Sequence, residues 1–553
     1  MKNRIIYFIL ILLPVAVCYN LGLLELRLEE PRRALVALEM MIRNSYIVPQ
    51  INGQLYYTKP PLFNWTIALS FWLAGNKSEW AARLPGILSY FATGVVLYWF
   101  VKKYFSKEKA FLSALFFFTA SDLLLFGTMI SAEIDLFFAF IITLQIIFLY
   151  HFFYRQQWLM MFAVSYIFTA LGVLTKGIPA ILFQGISLVV ICLYSRKFKL
   201  LFSWQHFAGI LCFLLVAGSY FYVYQQTTGQ LYNYMAKLYS DAAEKSVLEH
   251  SFLKSVLNFL ASPLHLLRFF APWFLYVIFL FKKPVVSKGY WQNHTIGFIT
   301  WCVAINIIPM LFTADTKANY IYPLFPFMAV ILAHIYLEYK DANPKLNGVI
   351  NAVFLGLMVL VTLALIAAPF FSIIKNSVSL LWLKTVLMVC LFAGIAWLFY
   401  KSPSVSIYLL ILFMVAVRLT VSMYYLPVYK LNSKQQQFSN FTKTITRQAG
   451  GNDIYLGGNP DIQKAFIAVG PLRFDTVNIT MPPFIPFQAP FYYSINNKKV
   501  MQYDPELRIG RYYLLFTTGV PDTMKLNVLN RFQPSVSKKE VFYLVTPKQV
   551  QSF

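Results

Sequence analysis

Thirteen mainly apolar stretches of about twenty residues recur along this 553-residue chain, at about 5–24, 81–101, 109–127, 136–154, 158–175, 178–195, 206–224, 263–281, 295–312, 320–338, 348–372, 380–400 and 405–426. A helix of about twenty residues crosses the roughly 30 Å hydrocarbon layer of a bilayer. It also satisfies its backbone donors and acceptors internally, as a segment deprived of water must. The repetition predicts a polytopic α-helical membrane protein with about thirteen spans. A composition 59% hydrophobic and only 12% charged excludes an ordinary soluble domain.

The basic residues supply the orientation. The chain has 47 Lys and Arg against 22 Asp and Glu, a net charge of +25, and such an excess can signal nucleic-acid binding. Here the cations fall in short clusters in alternate connections: Lys2 and Arg4, Lys102/Lys103/Lys107/Lys109, Arg155, Arg196/Lys197/Lys199, Lys282/Lys283/Lys288, Lys340/Lys345 and Lys401. That pattern marks cytoplasmic loops, so a bilayer and no nucleic acid is the expected partner. The opposite face then receives a long first loop (about 25–80), turns at 129–133 and Lys176, a loop at about 226–262, a turn at 313–319, and everything after about 430. The first apolar run continues to about Leu24 without a small-residue cleavage site, and it reads as an uncleaved first span.

Two parts are expected, a membrane domain and a soluble one. Residues 1–428 form the membrane domain, whose first outer loop carries helical apolar periodicity over 32–43, opened by Pro31, and a short apolar stretch over 61–74. The first is expected to lie along the membrane surface, and the second to be an interfacial or re-entrant helix. From 429 to 553 the composition turns polar, with a helical pattern followed by strand-like runs at 453–456, 511–518 and 541–546. This predicts a small outward-facing α/β domain.

Specific cofactor chemistry is not signalled. The five cysteines (Cys18, Cys192, Cys212, Cys302, Cys390) lie in or beside apolar runs, and no disulfide framework follows. No two of the six histidines share ligand spacing on one helix, and no phosphate-binding or dinucleotide-binding glycine motif is present. The sequence therefore assigns no metal site.

What the membrane does not explain is a set of charges at outward span ends: Glu29, Glu30 and Arg32 after the first span, Lys59, Asp135, Lys176, and Lys317 with Tyr320. Burying a charge in a bilayer costs several kcal/mol unless it is paired or reaches water. Carboxylates and lysines at one membrane face suit chemistry on a phosphorylated lipid, the cations holding phosphate oxygens and a carboxylate taking a proton from the nucleophile. The competing reading makes each lysine an interfacial anchor and each acid a cap or ion-pair partner.

In order, these motifs are Glu29-Glu30-Pro31-Arg32, VPQINGQLYYTKPPLFNW, Asp135 at the third outward turn, LGVLTKGIPA and KANYIYPLFP. The series resembles the bacterial aminoarabinose-transferase-like branch of the GT-C glycosyltransferases, which is related to the protein O-mannosyltransferases. The resemblance implies a GT-C fold of about thirteen spans with an outward C-terminal domain. It also implies a transferase in the bacterial inner membrane that takes its sugar from a polyprenyl-phosphate donor on the periplasmic face. The expected acceptor is a lipid or glycan; a protein acceptor is the alternative enzyme, and a non-catalytic transporter of lipid-linked sugar a third reading.

Carried over position by position, the family's first loop acid falls on Glu29, one methylene longer than the usual aspartate, with Glu30 as competitor for the role of base. Asp135 matches the second acid. Lys59, Lys176, Lys317 and Tyr320 are implied ligands of the donor phosphate, and Arg32 a brace for the acidic loop. The family's Phe-Glu-Lys-Pro reads Tyr57-Thr58-Lys59-Pro60 here, so its glutamate is absent. A divalent metal is left open.

Overall fold

The computed structural model describes residues 1–125, 130–243, 252–281, 293–311, 317–341, 344–457, 468–469, 472–473, 487–504, 506–517, 526–534 and 541–548. The basic cluster Lys282/Lys283/Lys288, Met129 and most of the 313–319 turn lie outside them. The described residues form two compact units, one of 1–21, 86–216 and 245–429, the other of 22–85, 217–244 and 430–553.

The first unit is the helical membrane part. All thirteen expected windows carry helix, but by length and apolarity nine helices among the described residues suffice to cross a bilayer, or ten if one bent pair counts as a span. Lys2–Cys18, Lys107–Phe118 and Pro179–Tyr194 are each shorter than the windows that predicted them. The 109–127 window fails as one helix because the chain leaves helical geometry at Thr119–Ala120 before Ser121–Leu124 begins. The 263–281 window falls on the bent pair Ser255–Phe269 and Trp273–Phe279, whose axes turn by 118°.

Polar groups inside this unit are paired across helices, as a low-dielectric interior requires. Gln145 donates to Gln184 at 2.7 Å, and Gln184 donates to Ser165 Oγ at 2.9 Å. Burial differs sharply between helices: Ala318–Tyr339 is mostly enclosed, whereas Pro344–Phe370 exposes most of its apolar surface. An apolar helix exposed in this way is what contact with lipid chains allows.

The second unit joins three separate pieces of chain. A four-stranded sheet runs in the order Ile454–Gly457, Tyr512–Thr517, Val541–Pro547, Leu526–Phe532, its first pair parallel and the others antiparallel. Helices Phe438–Gln448 and Gln488–Asn497 pack together in the same unit. The first loop belongs with them. Glu25 caps the Phe438–Gln448 helix by accepting from the amides of Phe438 (2.9 Å) and Ser439 (3.0 Å). Tyr492 Oη accepts from Leu26 N at 3.0 Å and donates to Glu79 Oε1 at 2.9 Å.

The loop's own elements follow from its sequence. Asn52-Gly53 forms a two-residue hairpin turn between Gln50–Ile51 and Gln54–Leu55, both residues at positive φ (53° and 78°). Helix Glu30–Arg43 has Pro31 in its first turn and ends at Asn44 in the left-handed region. Contrary to the expectation of a membrane-surface helix, residues Ala34 to Met40 are all buried in protein. The hairpin, helix Leu62–Ala74 and helix Gln488–Asn497 cover its apolar faces, and the periodicity alone could not say whether lipid or protein would do so.

Candidate active site

The second unit holds the acidic loop. Glu29 sits at the mouth of the Glu30–Arg43 helix, its side chain 46% exposed. Arg32 Nη1 approaches Glu29 Oε2 at 3.0 Å and Arg33 Nη2 approaches the same oxygen at 3.7 Å. Both contacts fall on Oε2, so the carboxylate is held by one oxygen. Arg32 also lies 5.0 Å from the centre of the Phe487 ring, which leaves its guanidinium ordered against an aromatic face.

Glu30 occupies a different environment. It is 1% exposed, and Arg83 binds both its oxygens, Nε to Oε1 at 2.8 Å and Nη2 to Oε2 at 3.0 Å. Arg27 N donates to Oε2 at 2.9 Å. Arg83 further donates to the carbonyls of Leu24 (2.9 Å) and Glu25 (3.3 Å). This two-pronged pair ties the start of the helix to the start of the Glu79–Tyr104 helix, and it occupies both Glu30 oxygens.

Lys59 is also paired. Its Nζ lies 3.2 Å from Asp241 Oδ2, while Lys237 Nζ lies 2.9 Å from Asp241 Oδ1, all three side chains largely buried. Lys237 and Asp241 are one turn apart on helix Leu231–Ala243, and Tyr234 of the same helix donates to the Lys59 carbonyl at 3.1 Å. Burial opposes charge on Asp241, but Lys59 and Lys237 together outweigh it and hold the carboxyl below its ordinary value.

The first unit holds the remaining candidates. Asp135 opens helix Asp135–Tyr154, and Lys176 closes helix Trp158–Lys176, the charge signs each helix end favours. Lys176 Nζ donates to Asp135 Oδ1 at 2.5 Å, and Asn319 Nδ2 donates to Oδ2 at 3.2 Å. The ammonium lies 5.2 Å from the Phe138 ring centre and 5.7 Å from that of Tyr320. Lys317 precedes the short Ala318–Ile321 helix and is exposed. The segment 317–320 thereby brings Asn319 and Tyr320 to the Asp135–Lys176 pair. Nearby in the fold, Tyr322 donates to buried Asp122.

The structure thus groups Glu29 with Arg32, and Asp135 with Lys176 and Tyr320. It also adds residues the motifs did not name: Arg83, Lys237, Asp241 and Asn319. Two of them left a trace in the sequence: Asn319 lies within KANYIYPLFP, and Arg83 is a basic residue at an outward span end where positive-inside patterning does not call for one. Among the described residues no three His, Cys, Asp or Glu side chains gather as a metal-ligand set, and Thr58 supplies no carboxylate beside Lys59.

Residues 58–222 match the family model of dolichyl-phosphate-mannose-protein mannosyltransferases. Over 417 residues the chain is 27% identical to an uncharacterized protein of Aquifex aeolicus, covering 72% of this chain and 79% of that one. It is 24% identical over 369 residues to the undecaprenyl phosphate-alpha-4-amino-4-deoxy-L-arabinose arabinosyl transferase 1 of Proteus mirabilis, covering 64% of this chain. That match spans 63% of the Proteus enzyme, a little under two thirds of its length. Among solved structures, ArnT from Cupriavidus metallidurans bound to undecaprenyl phosphate superposes over 98% of both chains with a TM-score of 0.70 at 16% identity. The chain has the fold of that protein, the GT-C architecture.

Proposed function

We propose that this GT-C protein, similar to the aminoarabinose transferases, is a membrane glycosyltransferase moving a sugar from a polyprenyl-phosphate donor to a lipid or glycan acceptor, as in lipid A modification. In this reading the protein resides in the bacterial inner membrane and acts at its periplasmic face. The observation that carries the reading is the contrast between the acids. Asp135 and Glu30 are buried in ion pairs, whereas Glu29 is held by arginines on one oxygen and is half exposed.

The proposed reaction is a single inverting displacement. An oxygen of an acceptor hydroxyl or phosphate attacks the sugar's anomeric carbon, the bond from that carbon to the donor's phosphate oxygen breaks, and the polyprenyl phosphate departs with the electron pair. Glu29 takes the acceptor's proton, and Arg32 fixes the carboxylate's rotamer so that its second oxygen can reach the acceptor. Negative charge grows on the leaving phosphate, and Lys59, Lys176, Lys317 and Tyr320 are the groups assigned to stabilise it. Asp135 positions Lys176 for that task. Glu30 and Arg83 hold the loop that carries Glu29.

The match to the protein mannosyltransferase model over 58–222 favours one second reading, a protein acceptor. Radiolabelled sugar on a polyprenyl phosphate, supplied to the reconstituted protein with membranes, separates the two. Label moved to a lipid or glycan other than the donor supports the first reading, and label retained by protein supports the second. No transfer to either class overturns the glycosyltransferase assignment.

A further inference from the structure

Two arginines hold Glu29, and they are themselves held from different places. Arg33 Nη2 lies 3.7 Å from Glu29 Oε2, and Arg33 donates through Nη1 to Tyr56 Oη, a partner inside the first loop. Arg32 Nη1 lies closer, 3.0 Å from the same oxygen, and its guanidinium sits 5.0 Å from the centre of the Phe487 ring. That ring comes from the polar segment after 429. An arginine side chain turns about several bonds, and a flat aromatic face restricts it by attracting the cation and stacking against its plane.

The ring is itself held on two sides. Phe487 precedes helix Gln488–Asn497, which packs against both Glu30–Arg43 and Phe438–Gln448. In that helix Tyr492 Oη accepts from Leu26 N at 3.0 Å, and its neighbour Tyr493 accepts through Oη from Ile454 N at 3.2 Å. Phe487 is thus carried by an element bound to the first loop through one tyrosine and to the sheet through the next.

We propose that Phe487 is a positioning residue: it sets the Arg32 guanidinium, Arg32 sets the Glu29 carboxylate, and the segment after 429 thereby takes a direct part in transfer. The inference rests on the glycosyl-transfer reading above, with Glu29 as base. The ring acts on the acceptor's proton only through Arg32 and Glu29. A general base works within hydrogen-bond reach of the proton it takes, and a displacement of about 1 Å can cost as much as about a hundredfold in rate. Without the ring, Arg32 samples more rotamers and draws Glu29 Oε2 with it, so the productive orientation is populated for a smaller share of the time.

The test is a double-mutant cycle on the full-length protein in the reconstituted transfer assay, with radiolabelled sugar on a polyprenyl phosphate and with the melting temperature of each variant recorded in detergent. Phe487→Leu, apolar but without a ring, is expected to lower kcat about tenfold, the scale of one cation–aromatic contact. Phe487→Tyr, which keeps the ring, is expected to stay within about twofold of wild type. Arg32→Gln is expected to cost about tenfold or more, and adding Phe487→Leu to it to cost nothing further, because the ring then has no cation to hold. Wild-type rates in Phe487→Leu, equal losses in the Leu and Tyr variants, or losses that multiply in the double variant overturn the proposal; multiplied losses are what a merely structural role gives. If Phe487→Leu does not fold, Phe487→Met, which keeps bulk without the ring, takes its place in the same cycle. A wild type without transfer sinks the glycosyltransferase reading itself, which a failure confined to the variants does not.

Discussion

Glu30 and Arg83 meet edge to edge, with nitrogen-to-oxygen distances of 2.8 and 3.0 Å, both side chains almost fully buried. Removing one partner of such a pair strands the other's charge, at a cost of about 3–5 kcal/mol. Arg83→Ala and Glu30→Gln should each lower the melting temperature sharply in detergent. Glu30→Leu combined with Arg83→Met should recover much of that loss. A double variant as unstable as either single one would show that the pair is not the source.

Glu29 should behave in the opposite way. Its ion pair with Arg32 is half exposed, and its loss should cost no more than about 1 kcal/mol of stability. Glu29→Gln should nevertheless cut sugar transfer by about a hundredfold or more, as expected for loss of a general base. Glu29→Asp, which shortens the reach by one methylene, should retain partial activity. Full activity of Glu29→Gln in a reconstituted assay refutes the assignment.

Lys176 tests whether a residue can be structural and functional together. Lys176→Met leaves Asp135 buried with only Asn319 as partner, and should destabilise the fold by about 3 kcal/mol or more. Adding Asp135→Leu should restore the melting temperature while transfer stays absent. Recovery of both would reduce the pair to a structural contact.

Stability should also depend on pH in a definite direction. Burial raises the carboxyls of Glu25 and Glu39 from an ordinary 4.5 to about 7 despite the backbone amides that contact them. The folded chain therefore keeps protons that the unfolded chain releases between about pH 4.5 and 7. The stabilisation is complete below about 4.5 and is lost as pH rises through about 7. Thermal unfolding of Glu39→Gln compared with wild type at pH 5 and pH 8 checks this. The variant should lose less stability at pH 8, and identical pH slopes would rule Glu39 out.

The sequence disclosed those parts of the site that lie within one motif, and concealed those that lie across motifs. Glu29, Asp135 and Lys176 stood out because charges at span ends need a reason. Asp241 did not, because its partner Lys59 is 182 positions away and nothing in the Leu231–Ala243 segment marks it. Among the folded elements, Leu526–Phe532 went unpredicted because it is an outer strand whose residues 527–529 are exposed, so no apolar alternation survives. The Glu30–Arg43 helix was visible as a helix, but part of what covers it, helix Gln488–Asn497, lies hundreds of positions later. The expected windows outnumber the long helices among the described residues because Lys2–Cys18, Lys107–Phe118 and Pro179–Tyr194 stop short of the apolar runs that predicted them.

The unit that carries Glu29 takes its third piece from residues after 429, synthesised well after the acidic loop. At synthesis rates of about 5–20 residues per second, the Glu25 carboxylate waits tens of seconds for the Phe438 and Ser439 amides it will cap. During that interval the acidic loop lacks part of its cover, and it stays unfinished until the Phe438–Gln448 helix has been made. A chain stopped near 429 would therefore resemble an enzyme interrupted in assembly more than one missing an accessory domain. Maturation of the site is in this sense timed by the ribosome.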